Sequence, residues 1–246
     1  MGVRTLKLTI SYDGVDYSGW QHQRGKRTIQ GELERAFGEL TGIVPKVNGA
    51  SRTDAGVSAM AQVANVTVNS PIPTENFAKA VNDRLPRDII VTDVVEADQT
   101  FDASSFAKNK LYRYTILTGK RRNVLESRNC WHYPRSLDVS LMSTAAKMLL
   151  GTHDFRSFAA ASDERENSVR TVTRCDVTQE GKWVYVDIEA NRFLHKMVRN
   201  IVGTLVEIGR GRWKPERIKP ILEAKQRTAA GPTAPGEGLC LMQINY

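Results

Sequence analysis

The chain has 246 residues, with 35 Lys and Arg against 27 Asp and Glu, a formal net charge of +8 and a pI of about 9.5. Hydrophobic residues make up 41% and charged residues 25%, a balance that excludes a disordered, collagen-like or coiled-coil chain. No apolar run approaches the roughly 20 residues of a membrane span.

The opening residues, Met1 to Leu6, pass straight into an alternating pattern, so neither a signal peptide nor a myristoylation site is expected. Leu6, Leu8, Ile10 and Tyr12 alternate with polar residues and predict a half-buried strand. A polar, glycine-bearing loop follows from Asp13 to Arg27. Thr28 can then cap a helix with Ile29, Leu33, Ala36, Phe37 and Leu40 at helical spacing, ended by Gly42 and Pro45. The segment Gly49–Ala59 has neither period, and a strand is expected over Gln62–Val68. Pro73-Thr74 opens a helix with Phe77, Ala80, Val81 and Leu85 inward, which Pro86 stops. Ile89–Val95 predicts a buried strand, and Leu111–Leu117 another, with Tyr112, Tyr114 and Ile116 on one face.

The second half continues in this style. A helix is expected over Asp138–Leu150, ending at Gly151, and strands at Arg170–Thr178 and Lys182–Ala190 form a hairpin around Gly181. Leu194, Met197, Val198, Ile201, Val202, Leu205 and Ile208 then cover well over one face of a helix that must be buried on most sides. A short helix follows Pro215, and Leu239–Ile244 is the last strand. The order implies two α+β halves, 1–105 and 106–246, sharing one sheet.

Cys130, Cys175 and Cys240 lie far apart and the four histidines are scattered, so no zinc site or disulfide framework is expected. Free thiols suit a reducing cytoplasm. The positive charge points to a polyanionic partner or to a basic solvated surface. P-loop, GxGxxG, HExxH and GxSxG motifs are missing from the sequence. A cofactor-free enzyme, or a protein without catalysis, is implied.

Three places can carry chemistry. Arg52, Thr53 and Asp54 are presented from a tight loop with Gly56, which also reads as a plain turn. Tyr112 reads equally as a site residue or a cross-strand aromatic. Arg199 lies inside the most apolar helix. A buried guanidinium needs a carboxylate or phosphate opposite it; otherwise the helix has a wet edge carrying Lys196, Arg199 and Asn200.

Arg52-Thr53-Asp54-Ala55-Gly56-Val57 resembles the RTDAGV motif of the tRNA pseudouridine synthase A family. Further blocks follow in order: Tyr12-Asp13-Gly14 with Tyr17 to Gln21, Thr28 to Glu34, Phe101-Asp102-Ala103, Tyr112-Arg113-Tyr114, Gly151 to Phe155, Phe193-Leu194 with Met197 to Gly203, and Ala230 to Ala234 with Gly238-Leu239. The resemblance implies the pseudouridine synthase fold, an α+β arrangement with a mixed, mainly antiparallel central sheet flanked by helices. It implies a homodimer that isomerises uridine at positions 38–40 of the tRNA anticodon stem-loop, without cofactor or metal. Asp54 matches the catalytic aspartate, Tyr112 the substrate-binding tyrosine, and Arg199 the arginine paired with the aspartate. Arg52 matches a base-turning arginine, and Leu239 an apolar residue of the uracil pocket. Where the family often has His after the motif's Val, this chain has Ser58.

Lysines and arginines in loops would hold the phosphates, the candidates being Arg24, Lys26, Arg27, Lys108, Lys110, Lys120, Arg121 and Arg122. The competing reading is a non-catalytic, RRM-like RNA-binding protein, but the chain lacks an RNP-type run of Gly and aromatics.

Overall fold

The computed structural model describes residues 2–246, so Met1 of the opening segment lies outside the described residues. The chain divides into two units. One runs through Lys108 and takes back Leu241–Tyr246; the other comprises Asn109–Cys240.

The first unit contains β1 (Val3–Tyr12), α1 (Ile29–Thr41), β2 (Val47–Gly49), β3 (Ser58–Asn69), α2 (Thr74–Asn82) and β4 (Ile89–Ala97). β1 is the middle of an antiparallel set in the order β4-β1-β3, and β2 pairs with β3. The alternating residues of β1 explain this position: Leu6, Leu8 and Ile10 are fully buried. α1 forms where its cap allows. The Thr28 hydroxyl accepts from the Gly31 N–H, and Gly42, at φ 77°, ends the helix in a conformation that suits glycine. Phe37 of α1 stacks on Phe77 of α2 at 6.4 Å.

The second unit contains β5 (Asn109–Thr118), β6 (Trp131–Tyr133), α3 (Val139–Lys147), β7 (Gly151–Asp154), β8 (Val169–Glu180), β9 (Trp183–Ala190), α4 (Met197–Gly209) and α5 (Ile218–Ala224). Its strands run β5-β9-β8-β7, all antiparallel, with β6 parallel beside β5. β10 (Leu239–Asn245) carries the chain from this unit back into the first. Each unit is thus α+β, with a mainly antiparallel sheet. α3 is capped by Asp138, whose carboxylate accepts from Leu141 N–H, and packs against α4. A Cβ on Gly209 would lie 2.6 Å from the Met142 sulfur, so a larger residue there would have to displace that methionine side chain.

The structure corrects three expectations. Ile89–Val95 is not a buried strand: its residues alternate, and Ile90 and Val95 are 49% and 43% exposed. Its apolar side chains mark a half-covered strand because β-branched residues suit either face. The aperiodic segment is shorter than read, since Gly49 ends β2 and β3 already begins at Ser58. Three short strands, β2, β6 and β7, escape the sequence because 3 or 4 residues carry no readable period.

Candidate active site

In the first unit the motif loop is held from below by the residues that open the chain. β1 and β3 slip register between Ile10 and Tyr12, which brings Tyr12 opposite Ala59. The Tyr12 hydroxyl then lies 2.8 Å from Thr53 Oγ1. The Thr53 carbonyl accepts the Trp20 N–H at 3.0 Å, and the Gly56 N–H donates to the Tyr17 carbonyl at 3.2 Å. Thr53 and Asp54 are therefore clamped on both sides. Gly19, at φ 93°, permits the approach: a Cβ there would come within 2.7 Å of the Thr53 carbonyl and 3.1 Å of the Asp54 peptide carbon. Gly14 does the same beneath Val57, where a Cβ would overlap the carbonyl oxygen at 1.9 Å.

Deeper in, Gln62 is fully buried and brackets the start of the loop. Its amide donates to the Ser51 carbonyl at 2.6 Å and accepts from the Ser51 N–H at 3.1 Å. The Asp54 carbonyl accepts from Val57 N–H at 3.2 Å, closing the turn. Gly56 completes it at φ 80°. The result is a rigid loop in which Thr53, Val57 and Ser58 are buried, Asp54 is half-buried and Arg52 is exposed. Ser58 contributes to the clamp, since its hydroxyl accepts from Gly14 N–H at 3.0 Å. A deep, rigid base with one carboxylate half-way to the surface is what a positioned catalytic group requires.

Tyr112, Arg199 and Leu239 belong to the second unit. Tyr112 is buried on β5 and meets the Phe193 ring edge-on at 5.0 Å. Its neighbour Arg113 forms a two-pronged bond to the buried Asp187, at 2.7 and 2.8 Å, which fastens β5 to β9. Tyr114 is fully buried and donates to the Pro235 carbonyl at 2.8 Å. Burial holds its phenol well above the usual tyrosine range, so the donor keeps its proton.

Arg199 is half-buried near the start of α4. Its Nε donates to the Ala234 carbonyl at 2.7 Å, and the Ala234 N–H returns a bond to the Arg199 carbonyl at 3.1 Å. The segment Ala230–Pro235 is thus a strap lying on α4. Gly203 and Gly231 make room: a Cβ on Gly203 would strike the Pro232 oxygen at 1.7 Å. The strap is also pinned by Thr204, whose hydroxyl accepts from Gly231 N–H at 2.9 Å, and by Thr233, which donates to Asn200 Oδ1 at 2.7 Å. Asn200 is fully buried, its amide donating to the Phe158 carbonyl at 2.8 Å. It is therefore not part of a wet edge with Lys196 and Arg199. Beyond the strap, Gly238 packs against the Tyr114 ring, its carbonyl takes the Thr115 N–H, and Leu239 is buried next to it.

Residue chemistry alone does not single out the strap. Its signals are the small residues Gly203 and Gly231, which read as ordinary without a partner surface.

The cationic candidates divide by environment. Arg24, Lys26, Lys108, Lys120 and Arg121 are exposed. Arg27 is committed within the protein, bonded to Asp88 at 3.1 Å and lying 4.2 Å over the Tyr17 ring. Arg122 bonds Ser127 at 2.8 Å. Lys110 is half-buried, and burial together with the Arg192 charge pushes its ammonium down to about 8. Among the described residues no three His, Cys, Asp or Glu side chains gather as a metal-holding group, and no helix is long and apolar enough to cross a membrane.

A family model described as tRNA pseudouridine synthase matches residues 8–106 and 145–246, which include the Asp54 loop, the start of α4 and the strap. The chain belongs to the tRNA pseudouridine synthase family. It is 46% identical over 243 residues to tRNA pseudouridine synthase A of Moorella thermoacetica, covering 98% of this chain and 99% of that protein. It is 43% identical over 244 residues to the protein of the same name from Acetivibrio thermocellus, covering 99% and 100%. Among solved structures, a chain of a Cbf5-Nop10-Gar1 complex superposes with a TM-score of 0.40 at 11% identity, over 96% of this chain and 57% of that one. The family membership settles the choice between enzyme and RRM-like binder in favour of the enzyme. The chain motifs fall where the geometry is tightest, at the loop clamp of the first unit and at the strap of the second.

Proposed function

We propose that this protein isomerises uridine to pseudouridine at positions 38–40 of the tRNA anticodon stem-loop, as a cytoplasmic homodimer and without a cofactor. Asp54 is the catalytic carboxylate in this reading, and Tyr112, Arg199, Arg52 and Leu239 hold the substrate. The observation that carries it is the half-buried Asp54 on a loop held on both sides, Thr53 by Trp20 and Tyr12 and Gly56 by Tyr17.

The chemistry suits these groups. Substrate and product are isomers, so no oxidant or activated donor is consumed. The N1–C1′ bond breaks, the uracil turns, C5 joins C1′, and the proton on C5 leaves to solvent. An ionised aspartate serves either as nucleophile or as base at the sugar. Tyr112 supplies an aromatic face to the detached base, and Leu239 an apolar wall, so that the base is retained while it turns. The target has to leave its stack first, at a cost of a few kcal/mol. Exposed cations such as Arg24, Lys26, Lys120 and Arg121 supply phosphate affinity to offset it.

The test is tritium release from tRNA carrying C5-labelled uridine, with chelator present. The wild type is expected to release one tritium per target uridine. Asp54→Asn is expected to fall at least a thousandfold while tRNA affinity stays within a few-fold, because loss of a catalytic group costs several orders of magnitude. Residual turnover above about one per cent of wild type would remove Asp54 from the role.

A further inference from the structure

The residues that follow α4 form a cationic cluster at the other end of that helix from Arg199. Arg210–Lys219 holds five cations, Arg210, Arg212, Lys214, Arg217 and Lys219, against a single carboxylate, Glu216. The chain as a whole carries 35 cations in 246 residues, so this stretch is more than three times as dense. Its shape is preset. Gly211, at φ 79°, turns the chain, and the Glu207 carbonyl accepts the N–H groups of Arg212 and Trp213. The Glu207 carboxylate is buried and takes Arg212 at 3.0 Å and Arg210 at 3.4 Å. Two of the five cations are thereby fixed to the protein. Lys214, Arg217 and Lys219 have no ion-pair partner among the described residues, and all three are exposed.

Beside them is a shallow groove of about 460 Å³, lined by Arg212, Trp213, Lys214, Glu216, Arg217 and Pro220. Trp213 is half-buried there, and the guanidiniums of Arg212 and Arg217 lie 5.9 and 5.6 Å from its ring centre. A cationic rim around an indole matches one polymer well: phosphates bind the rim, and a sugar or base packs on the ring. We propose that this groove binds the RNA backbone of the tRNA substrate, away from the nucleotide being isomerised.

α4 sets the scale. From Arg199 to Gly209 it rises about 15 Å, at 1.5 Å per residue. The groove is thus beyond the span of one nucleotide along that axis and within the size of a stem-loop. The inference rests on the proposed tRNA reaction for the identity of the RNA, but not for the binding itself.

The experiment compares wild type with the Lys214→Glu/Arg217→Glu double variant and with Trp213→Ala. Arg212 is left in place because it neutralises Glu207. Binding to full-length tRNA is read by fluorescence anisotropy across a salt series, and kcat and KM by tritium release. The double variant is expected to raise Kd and KM about tenfold or more. It should flatten the slope of log affinity against log salt by about one for each phosphate no longer held, and leave kcat within twofold. Trp213→Ala should weaken binding at least fivefold, and Trp213→Phe should recover most of it, since stacking needs only a π face. If the charge reversals fail to fold by circular dichroism, Lys214→Gln/Arg217→Gln replaces them with the same expected direction.

Unchanged Kd and salt slope would overturn the proposal, including the case in which an acidic protein uses the groove instead. A change of oligomeric state in light scattering, with tRNA affinity following only that change, would also overturn it by making the groove a self-interface. Loss of tRNA binding in the variants, with no tritium release even from wild type, would uphold the groove and defeat the proposed reaction. Active wild type with unmoved variants would do the reverse.

Discussion

Arg199 spends one donor, Nε, on the Ala234 carbonyl, and that bond fixes the plane of its guanidinium. A lysine has one compact ammonium and no planar fork. Arg199→Lys is therefore expected to lose at least tenfold in kcat, and Arg199→Leu far more, both measured by tritium release. Wild-type turnover in the lysine variant would show that the fork is not used. Lys110 makes a different prediction, about pH. Its ammonium is pushed down to about 8 from an ordinary 10.5 by burial and by Arg192. Below pH 8 the folded protein carries the full penalty of that buried charge. As pH rises from 8 to 10.5 the unfolded chain holds more protons at this site than the folded one, so stability at Lys110 rises with pH. Lys110→Met removes the penalty. Its advantage in melting temperature over wild type is expected to be largest below pH 8 and to shrink towards pH 10.5.

At the scale of elements, α4 and the strap behave as one part. Twelve of the thirteen residues of α4 are buried, and the exception is Arg199. A helix covered this completely cannot shift alone, so the strap decides where Arg199 points. Gly203→Ala would drive a methyl into the Pro232 carbonyl, placed 1.7 Å from it. Either the strap lifts or the helix moves, and overpacking of this kind costs about 1–3 kcal/mol. We expect a lower melting temperature together with a loss of kcat, because the Ala234–Arg199 bonds break with the displacement. A stable, fully active Gly203→Ala protein would show that the strap is not needed to aim Arg199.

The molecule as a whole carries +8, and its exposed cations lie on loops far apart along the chain, with Arg24 and Lys26 in one unit and Lys120 and Arg121 in the other. Several phosphates bound together release their counterions together, so tRNA affinity is expected to fall steeply as salt rises. Light scattering at micromolar concentration is expected to give twice the mass of 27.5 kDa. A fully active monomer would defeat the dimer, and a flat salt dependence would defeat the electrostatic grip.

The strands and helices with a clear period were legible in the sequence, because alternation and 3.6-residue spacing are local properties. So was Thr28 as a cap, whose hydroxyl reaches only as far as Gly31. The motif residues from Arg52 to Val57 were legible as a family resemblance, since their order needs no coordinates. What residue chemistry alone left open at Asp54, a plain turn or a presented carboxylate, depended on Gly14, Gly19, Tyr12 and Gln62. Tyr12 lies 41 residues from Thr53 in sequence and meets it only when β1 and β3 pair. The strap on α4 was hidden for the same reason: Gly203 and Pro232 declare nothing until two backbones approach closely. Local period and capping are written in neighbouring residues, whereas clamping is a property of surfaces that meet, and only the tertiary structure brings those surfaces together.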